Sequence, residues 1–225
     1  MSVYVYAIVG SPRNAGRVSS AAGSRLRAVR SASTAAIVED RETPAPTRRM
    51  LQAHDRVVRR IAAVAPAVLP VRFGTTIPTD RALVSMLMSW SSDLRTALRL
   101  VDGCEQMTLR LFVAPAAAGE PTANRPGDSD PGTTYLTQRA DAQSRARSAP
   151  EIDPLREALG PLLHAERVAP RRGSSSSLVT AYHLIPRGSS SQYRRRLQRR
   201  AAALGLRAVI SGPWPPYAFV PELRP

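Results

Sequence analysis

The chain contains no lysine; all 32 of its basic residues are arginine, set against 17 acids for a formal charge of +15. A surplus of that size usually points to nucleic acid or an anionic surface. Two features weaken that reading. Exclusive use of arginine beside abundant alanine and proline matches the drift of a GC-rich genome. The charge is also evenly spread, with 15 arginines against eight acids in residues 1–107 and 17 against nine in the remainder, so there is no basic tail or arm. A generally basic surface is expected, with no specific nucleic acid partner.

Cysteine is nearly absent too. Cys104 alone cannot close an internal disulfide, and it has no CxxC neighbour to suggest zinc or redox chemistry, so a reducing cytoplasm is expected. No apolar run approaches the ~20 residues of a membrane helix. The apolar start Val3–Val9 lacks the basic flank and small-residue cleavage site of a signal peptide, and no membrane partner is expected. His54, His164 and His183 form no HxxxH or HExxH pattern, and the chain has no GxSxG elbow, Walker loop or dinucleotide fingerprint. These absences argue against a metal, a cofactor, a small-molecule substrate and a catalytic constellation: a chain that is not an enzyme.

With 43% hydrophobic residues over 225 positions, there is enough to bury for a folded α+β protein. Val3–Val9, β-branched and aromatic, reads as a buried strand, and 26–29 with 35–38 as a hairpin. Thr47 suits the cap of a helix with apolar positions Leu51, His54, Val58, Ile61 and Ala65, ended by Pro66. On that stripe, His54 reads as a packed, hydrogen-bonded core residue. Residues 68–75 look strand-like, but Pro70 demands an edge or a bulge. After Asp80, the stripe Leu83, Leu87, Trp90, Leu94, Leu98 and Val101 predicts one helix of about six turns, the longest in the chain, closed by Gly103.

Alternation over Met107–Val113 predicts a half-buried strand opening a second domain, so the division expected is 1–105 and 106–225. A flexible loop is expected at 115–132, then a polar helix from Tyr135 towards Arg147 and helical residues from 155 to 163. A strand near 167–172, one at 178–185, a helix at 192–204 and a last strand at 207–211 complete a ferredoxin-like order. In that last helix Tyr193, Leu197, Ala201 and Leu204 should face inward and the arginines at 194, 195, 196, 199 and 200 outward into solvent.

Two segments exceed what packing requires. One joins His54 to Val68-Leu69-Pro70-Val71-Arg72-Phe73-Gly74-Thr75. The other is Gly212-Pro213-Trp214-Pro215-Pro216-Tyr217-Ala218-Phe219-Val220, where three prolines stiffen a strongly aromatic stretch. It can serve as a contact surface or as a lid over the final sheet. Arg72, Phe73, Trp214, Tyr217 and Phe219 are the candidate partner-binding residues.

At these two segments the chain resembles the gas vesicle protein F/L family. Tyr4 and Tyr6, Gly103 with Glu105, and Gly132 with Tyr135, Leu136 and Arg139 extend the resemblance over nearly the whole length. It implies a cytoplasmic protein of gas vesicle formation with an N-terminal α+β domain and a ferredoxin-like one. Its implied partners are the small hydrophobic shell protein and other accessory proteins. A basic RNA-binding module on the same fold is the alternative, disfavoured because the C-terminal strands lack closely spaced aromatics.

Overall fold

The computed structural model describes residues 2–10, 15–23, 25–112, 149–169 and 178–221. The loop expected at 115–132 and the polar helix expected from Tyr135 lie outside them. The fold is mixed helix and sheet, with two antiparallel sheets.

The first sheet comprises β1 (Val3–Val9), β2 (Arg27–Arg30), β3 (Ala35–Asp40), β4 (Val68–Pro70) and β5 (Thr76–Ile77), in the order β2-β3-β1-β4, with β5 also paired to β1. Every residue of β1 is buried, as a central strand covered on both faces must be. Helices α1 (Ala15–Ala22) and α2 (Arg48–Val64) close one core with it, made of Tyr4, Tyr6, Ala7 and Val9 against Val18, Val58 and Ile61. Thr47 caps α2, its hydroxyl accepting the Met50 N–H, as its position before the apolar stripe predicts.

β1 carries a β-bulge. Val5 pairs with Val38 and Ala7 with Ile37, leaving Tyr6 without a register partner on β3. Strict alternation would send Tyr6 and Ala7 to opposite faces. The inserted residue shifts the phase, and both enter the same core cluster. On the other edge of β1, β4 pairs along Ala7–Val9 and β5 along Val3–Tyr4. Pro70 sits at the end of β4, the outermost strand of its sheet, where its missing donor costs nothing.

Beyond β5, the single helix expected over 80–101 is two: α3 (Asp80–Ser89) and α4 (Ser91–Val101). The break falls at Trp90, whose φ −100° and ψ 15° are not helical. Serines surround it, and the Ser89 hydroxyl takes the Met86 carbonyl, the local competition by which serine weakens a helix interior. The apolar stripe survives the break, since Leu83, Leu87, Leu94, Leu98 and Val101 are all buried. The longest helix described is therefore α2, with 17 residues.

The second sheet has the order β7-β8-β6-β9: β6 (Cys104–Phe112), β7 (Ala165–Val168), β8 (Leu178–Pro186) and β9 (Arg207–Trp214). α5 (Asp153–Leu159) precedes β7, and α6 (Ser190–Ala203) joins β8 to β9. β6 begins earlier than its alternation predicts, and Gln106 to Leu109 are all buried. β7 also begins two residues early. Tyr193, Leu197 and Ala201 form the buried face of α6 as expected, whereas Leu204, just past its end, is exposed. β9 runs on through Pro213 to Trp214, which an edge strand allows. By compactness the chain divides into one unit of residues 1–106, 184–188 and 213–225 and another of 107–183 and 189–212.

Candidate functional site

The first candidate segment is a turn held from beneath. The chain leaves β1 after the Val71 N–H reaches the Tyr6 carbonyl at 2.9 Å and rejoins it where the Val5 N–H reaches the Thr75 carbonyl at 3.0 Å. Between them, Gly74 adopts φ +87°, a conformation any side chain would strain. The Gly74 N–H donates to the Tyr4 hydroxyl oxygen at 3.2 Å.

His54 completes the support. Its Nε2 lies 3.0 Å from the Val71 carbonyl, which only accepts, so Nε2 carries the proton. Nδ1 is then an acceptor, and the Tyr4 hydroxyl donates to it at 2.9 Å. Every polar atom of the chain Gly74–Tyr4–His54–Val71 is matched. Burial holds the His54 pKa below its ordinary value, against an opposing pull from the Val71 carbonyl and Asp55, which favours this neutral ring.

Aromatic rings surround the imidazole. Tyr6 stacks on it with centroids 5.2 Å apart, and Phe73 meets it edge-on at 5.7 Å. Tyr6 donates to Glu39 at 2.7 Å, and burial, then this carboxylate, pushes its phenol pKa well up. Phe73 is thus half-buried support for the turn. Arg72 is exposed at its tip.

The second candidate segment folds against α2. Phe219 is buried, with 1% of its surface exposed, and the Ala218 N–H donates to Gln106 Oε1 at 2.8 Å. Tyr217 remains 37% exposed while its hydroxyl donates to Asp55 at 3.2 Å. The other Asp55 oxygen accepts from Arg59 Nε at 2.6 Å, and the Arg59 guanidinium lies 4.5 Å from the centre of the half-buried Trp214 ring. Burial, then the Asp55 charge, raises the Tyr217 pKa. Pro213–Phe219 is therefore a strap with a buried anchor, Phe219, a half-buried Trp214 and an exposed Tyr217.

In the second unit a polar chain runs through the core. Tyr193 and His183 are fully buried, and the Tyr193 hydroxyl lies 2.6 Å from His183 Nδ1. His183 Nε2 donates to Glu166 at 2.9 Å, and Arg156 reaches the other Glu166 oxygen at 2.6 Å. Burial alone would raise the Glu166 pKa. The His183 and Arg156 bonds prevail and hold it at about 2. A hydroxyl, an imidazole and a carboxylate in line resemble a nucleophile relay, but both the hydroxyl and the imidazole are sealed from solvent.

The arginine-rich helix is less solvated than its composition suggests. Arg196 donates to the Leu159 carbonyl at 2.9 Å, Arg200 to that of Pro154 at 3.3 Å, and Arg194 to that of Gly212. Of the five, Arg195 and Arg199 are exposed and the other three partly buried.

Residues 2–221 match the family model described as gas vesicle synthesis protein GvpL/GvpF. The chain belongs to this family. Among GvpL/GvpF relatives, it is 29% identical to gas vesicle protein F of Streptomyces sp. strain CB03234, over 98% of this chain and all of that one. It is also 29% identical to gas vesicle protein L2 of Halobacterium salinarum, over 78% of this chain and 72% of that one. The fold is similar to the crystal structure of GvpF from Anabaena sp. PCC7120, with a TM-score of 0.66 at 18% identity over 98% and 96% of the two chains. GvpF from Microcystis aeruginosa gives the same score at 16% identity, over 98% and 99%.

Within this GvpL/GvpF chain, the structure groups Phe73 with His54 and the two tyrosines, and Trp214 and Tyr217 with α2. Arg72 joins neither group. Asp55, Arg59 and Gln106, which hold the strap, carried no sequence signal beyond the i,i+4 spacing of the first two. Among the described residues no cluster of three His, Cys, Asp or Glu could hold a metal, and no helix is long and apolar enough to cross a membrane.

Proposed function

We propose that this chain acts in gas vesicle formation as a non-catalytic cytoplasmic binding protein that engages the hydrophobic shell protein and supports nucleation or assembly of the vesicle. The observation that carries this reading is the match of residues 2–221 to one gas vesicle family. A shell subunit built to coat a gas-facing wall must expose apolar surface before it polymerises, and exposed patches aggregate. A partner with a rigid aromatic face can cover such surface or order it.

The order β7-β8-β6-β9, with a helix before β7 and another between β8 and β9, favours a ferredoxin-like second domain. Such sheets also bind RNA. Three of the five α6 arginines are tied to main-chain carbonyls, which leaves few for phosphates and favours the protein partner.

Co-expression with the cognate shell protein tests the reading. The two should co-purify, and vesicles should fail to form when this chain is deleted. A shell protein that ignores this chain while binding other accessory proteins under the same conditions would overturn it.

A further inference from the structure

Among the described residues, the second sheet has helices on one face only. Along β6, Met107, Leu109 and Leu111 are fully buried, while the alternate positions Arg110 and Phe112 are exposed. β8 alternates likewise, with Val179, Ala181 and His183 buried and Thr180 and Tyr182 half-buried. The buried set faces the helices, since His183 meets Tyr193 of α6. On the edge strand β9, Arg207 and Val209 are exposed, and the Arg207 guanidinium lies 4.8 Å from the centre of the Phe112 ring. That contact puts the exposed residues of both strands on the open side.

A sheet face that carries large apolar groups needs a further layer against it. Phe112 keeps 36% of its surface exposed and Val209 45%, and Tyr182 adds a half-buried ring to the same face. Charge identifies what that layer must carry. The acids among the described residues of this unit are Glu151, Asp153, Glu157 and Glu166. The first three lie on the helical stretch 150–159, which Arg196 ties to α6, and Glu166 bonds to His183. None is on the open face, so Arg110 and Arg207 leave it with a net positive charge. Among the described residues Arg110 has no ion pair, and the contact made by Arg207 is with the Phe112 ring.

This charge excludes a second copy of the chain, because a two-fold contact would set the same arginines against each other. Single-stranded RNA is disfavoured for a different reason. It binds by stacking bases on exposed rings, and the Arg207 guanidinium already lies over Phe112. We infer that the open face of the second sheet docks an acidic amphipathic helix of a partner protein. Its apolar stripe would rest on Phe112, Tyr182 and Val209, and its carboxylates would meet Arg110 and Arg207. Such a partner differs in chemistry from a hydrophobic shell subunit, so the inference stands apart from the shell-protein reading.

A fluorescein-labelled peptide of about 18 residues, long enough to hold a helix, with a leucine stripe flanked by glutamates, probes the face by anisotropy at physiological salt. It should bind the unmodified chain roughly tenfold more tightly than the same peptide with glutamine in place of glutamate. Arg110→Gln combined with Arg207→Gln should abolish that preference. Arg195→Gln with Arg199→Gln, which removes equal charge from exposed positions of α6, should keep it. The amide resonances of Phe112 and Val209 should shift when the unmodified chain binds the peptide, a reading that needs no variant. Equal loss from both pairs of substitutions would reduce the effect to attraction by a basic chain and overturn the inference. So would equal binding of the two peptides, or shifts that avoid β6 and β9. Tighter binding of oligouridylate with the same Phe112 and Val209 shifts would make the face a nucleic acid surface instead, and dimerisation lost on Val209→Asp would make it a self-contact.

Discussion

The Tyr4 hydroxyl stands 2.9 Å from His54 Nδ1, across 50 residues of sequence, and accepts the Gly74 N–H on its other side. One phenol thereby ties the central strand, helix α2 and the turn bearing Arg72. Tyr4→Phe keeps the ring and removes the link, leaving a buried imidazole nitrogen and an amide without partners. Unmet buried groups cost ~1 to 3 kcal/mol, so urea denaturation should show a loss in that range. A change within 0.5 kcal/mol, the scatter of neutral substitutions, would mean the network contributes nothing to stability.

The same site sets a pH dependence. The folded-state pKa of His54 is depressed, so between its ordinary value of 6.5 and that lower value the unfolded chain binds a proton that the folded one refuses. Stability is unaffected above pH 6.5 and falls as pH drops below it. His54→Gln should be less stable at neutral pH but should flatten this limb of the melting temperature against pH. Retention of the full slope in the variant would assign it to another group.

Glu166 governs a second, more acidic window. Its carboxyl is held at about 2 in the folded protein against an ordinary 4.5, so its contribution is present above pH 4.5 and is lost as pH falls towards 2. At ~1.4 kcal/mol per unit, the contribution is on the order of 3 kcal/mol. Glu166→Gln should remove the loss between these pH values and destabilise the protein at neutral pH, because the amide has no charge and offers one acceptor oxygen where Arg156 and His183 use two. Acid titration of the variant by circular dichroism, compared with the unmodified chain, reads both effects.

Local signals explain which parts of this fold were legible in the sequence. Thr47, the stripe Leu51-His54-Val58-Ile61-Ala65 and Pro66 define α2 within one stretch of chain, and the structure follows them except at Leu51, which the first turn of the helix leaves exposed. The Tyr6 bulge depends on pairing with 37–38 on one side and on the turn at 71–75 on the other, so no window around Tyr6 contains its cause. Trp90 continued the apolar stripe, which hid a break where its own main chain leaves helical geometry and the Ser89 hydroxyl donates to the Met86 carbonyl. Composition picked out both candidate segments, whereas their anchors lay 70 residues away for Gly74–Tyr4 and 162 for Tyr217–Asp55.

On α6 the arginines divide by what they touch. Arg196→Ala removes a charged hydrogen bond to the Leu159 carbonyl and should cost ~1.5 to 3 kcal/mol. Arg195→Ala, one residue away and exposed, should fall within ~0.5 kcal/mol. If the two variants melt together, the carbonyl contact does not stabilise the fold. The pair also bears on nucleic acid. Any binding to RNA should be weak, unselective and lost as salt rises, as counterion release from an evenly spread basic surface predicts. A tight, sequence-selective complex at physiological salt would revive the RNA-binding alternative.

The strap offers the sharpest separation of stability from binding, because its aromatic residues are buried to different depths. Phe219 is sealed in the core, and truncating a buried phenylalanine leaves a cavity costing ~3 to 5 kcal/mol, a large share of the ~5 to 15 kcal/mol that holds a domain together. Phe219→Ala should therefore melt far below the unmodified chain whatever its partner. Trp214 is half-buried, with Arg59 on its ring, and such a cation–π contact is worth ~0.5 to 1 kcal/mol near the surface. Trp214→Ala should lower stability modestly yet weaken shell-protein binding by ~2 kcal/mol or more, as loss of an interface anchor does. Thermal denaturation beside a pull-down with the shell protein distinguishes the two roles. A Trp214→Ala protein as unstable as Phe219→Ala would make the whole strap a lid over the core. One that is stable and still binds fully would leave Trp214 with neither role, and the contact face would then have to be sought at the turn that carries Arg72.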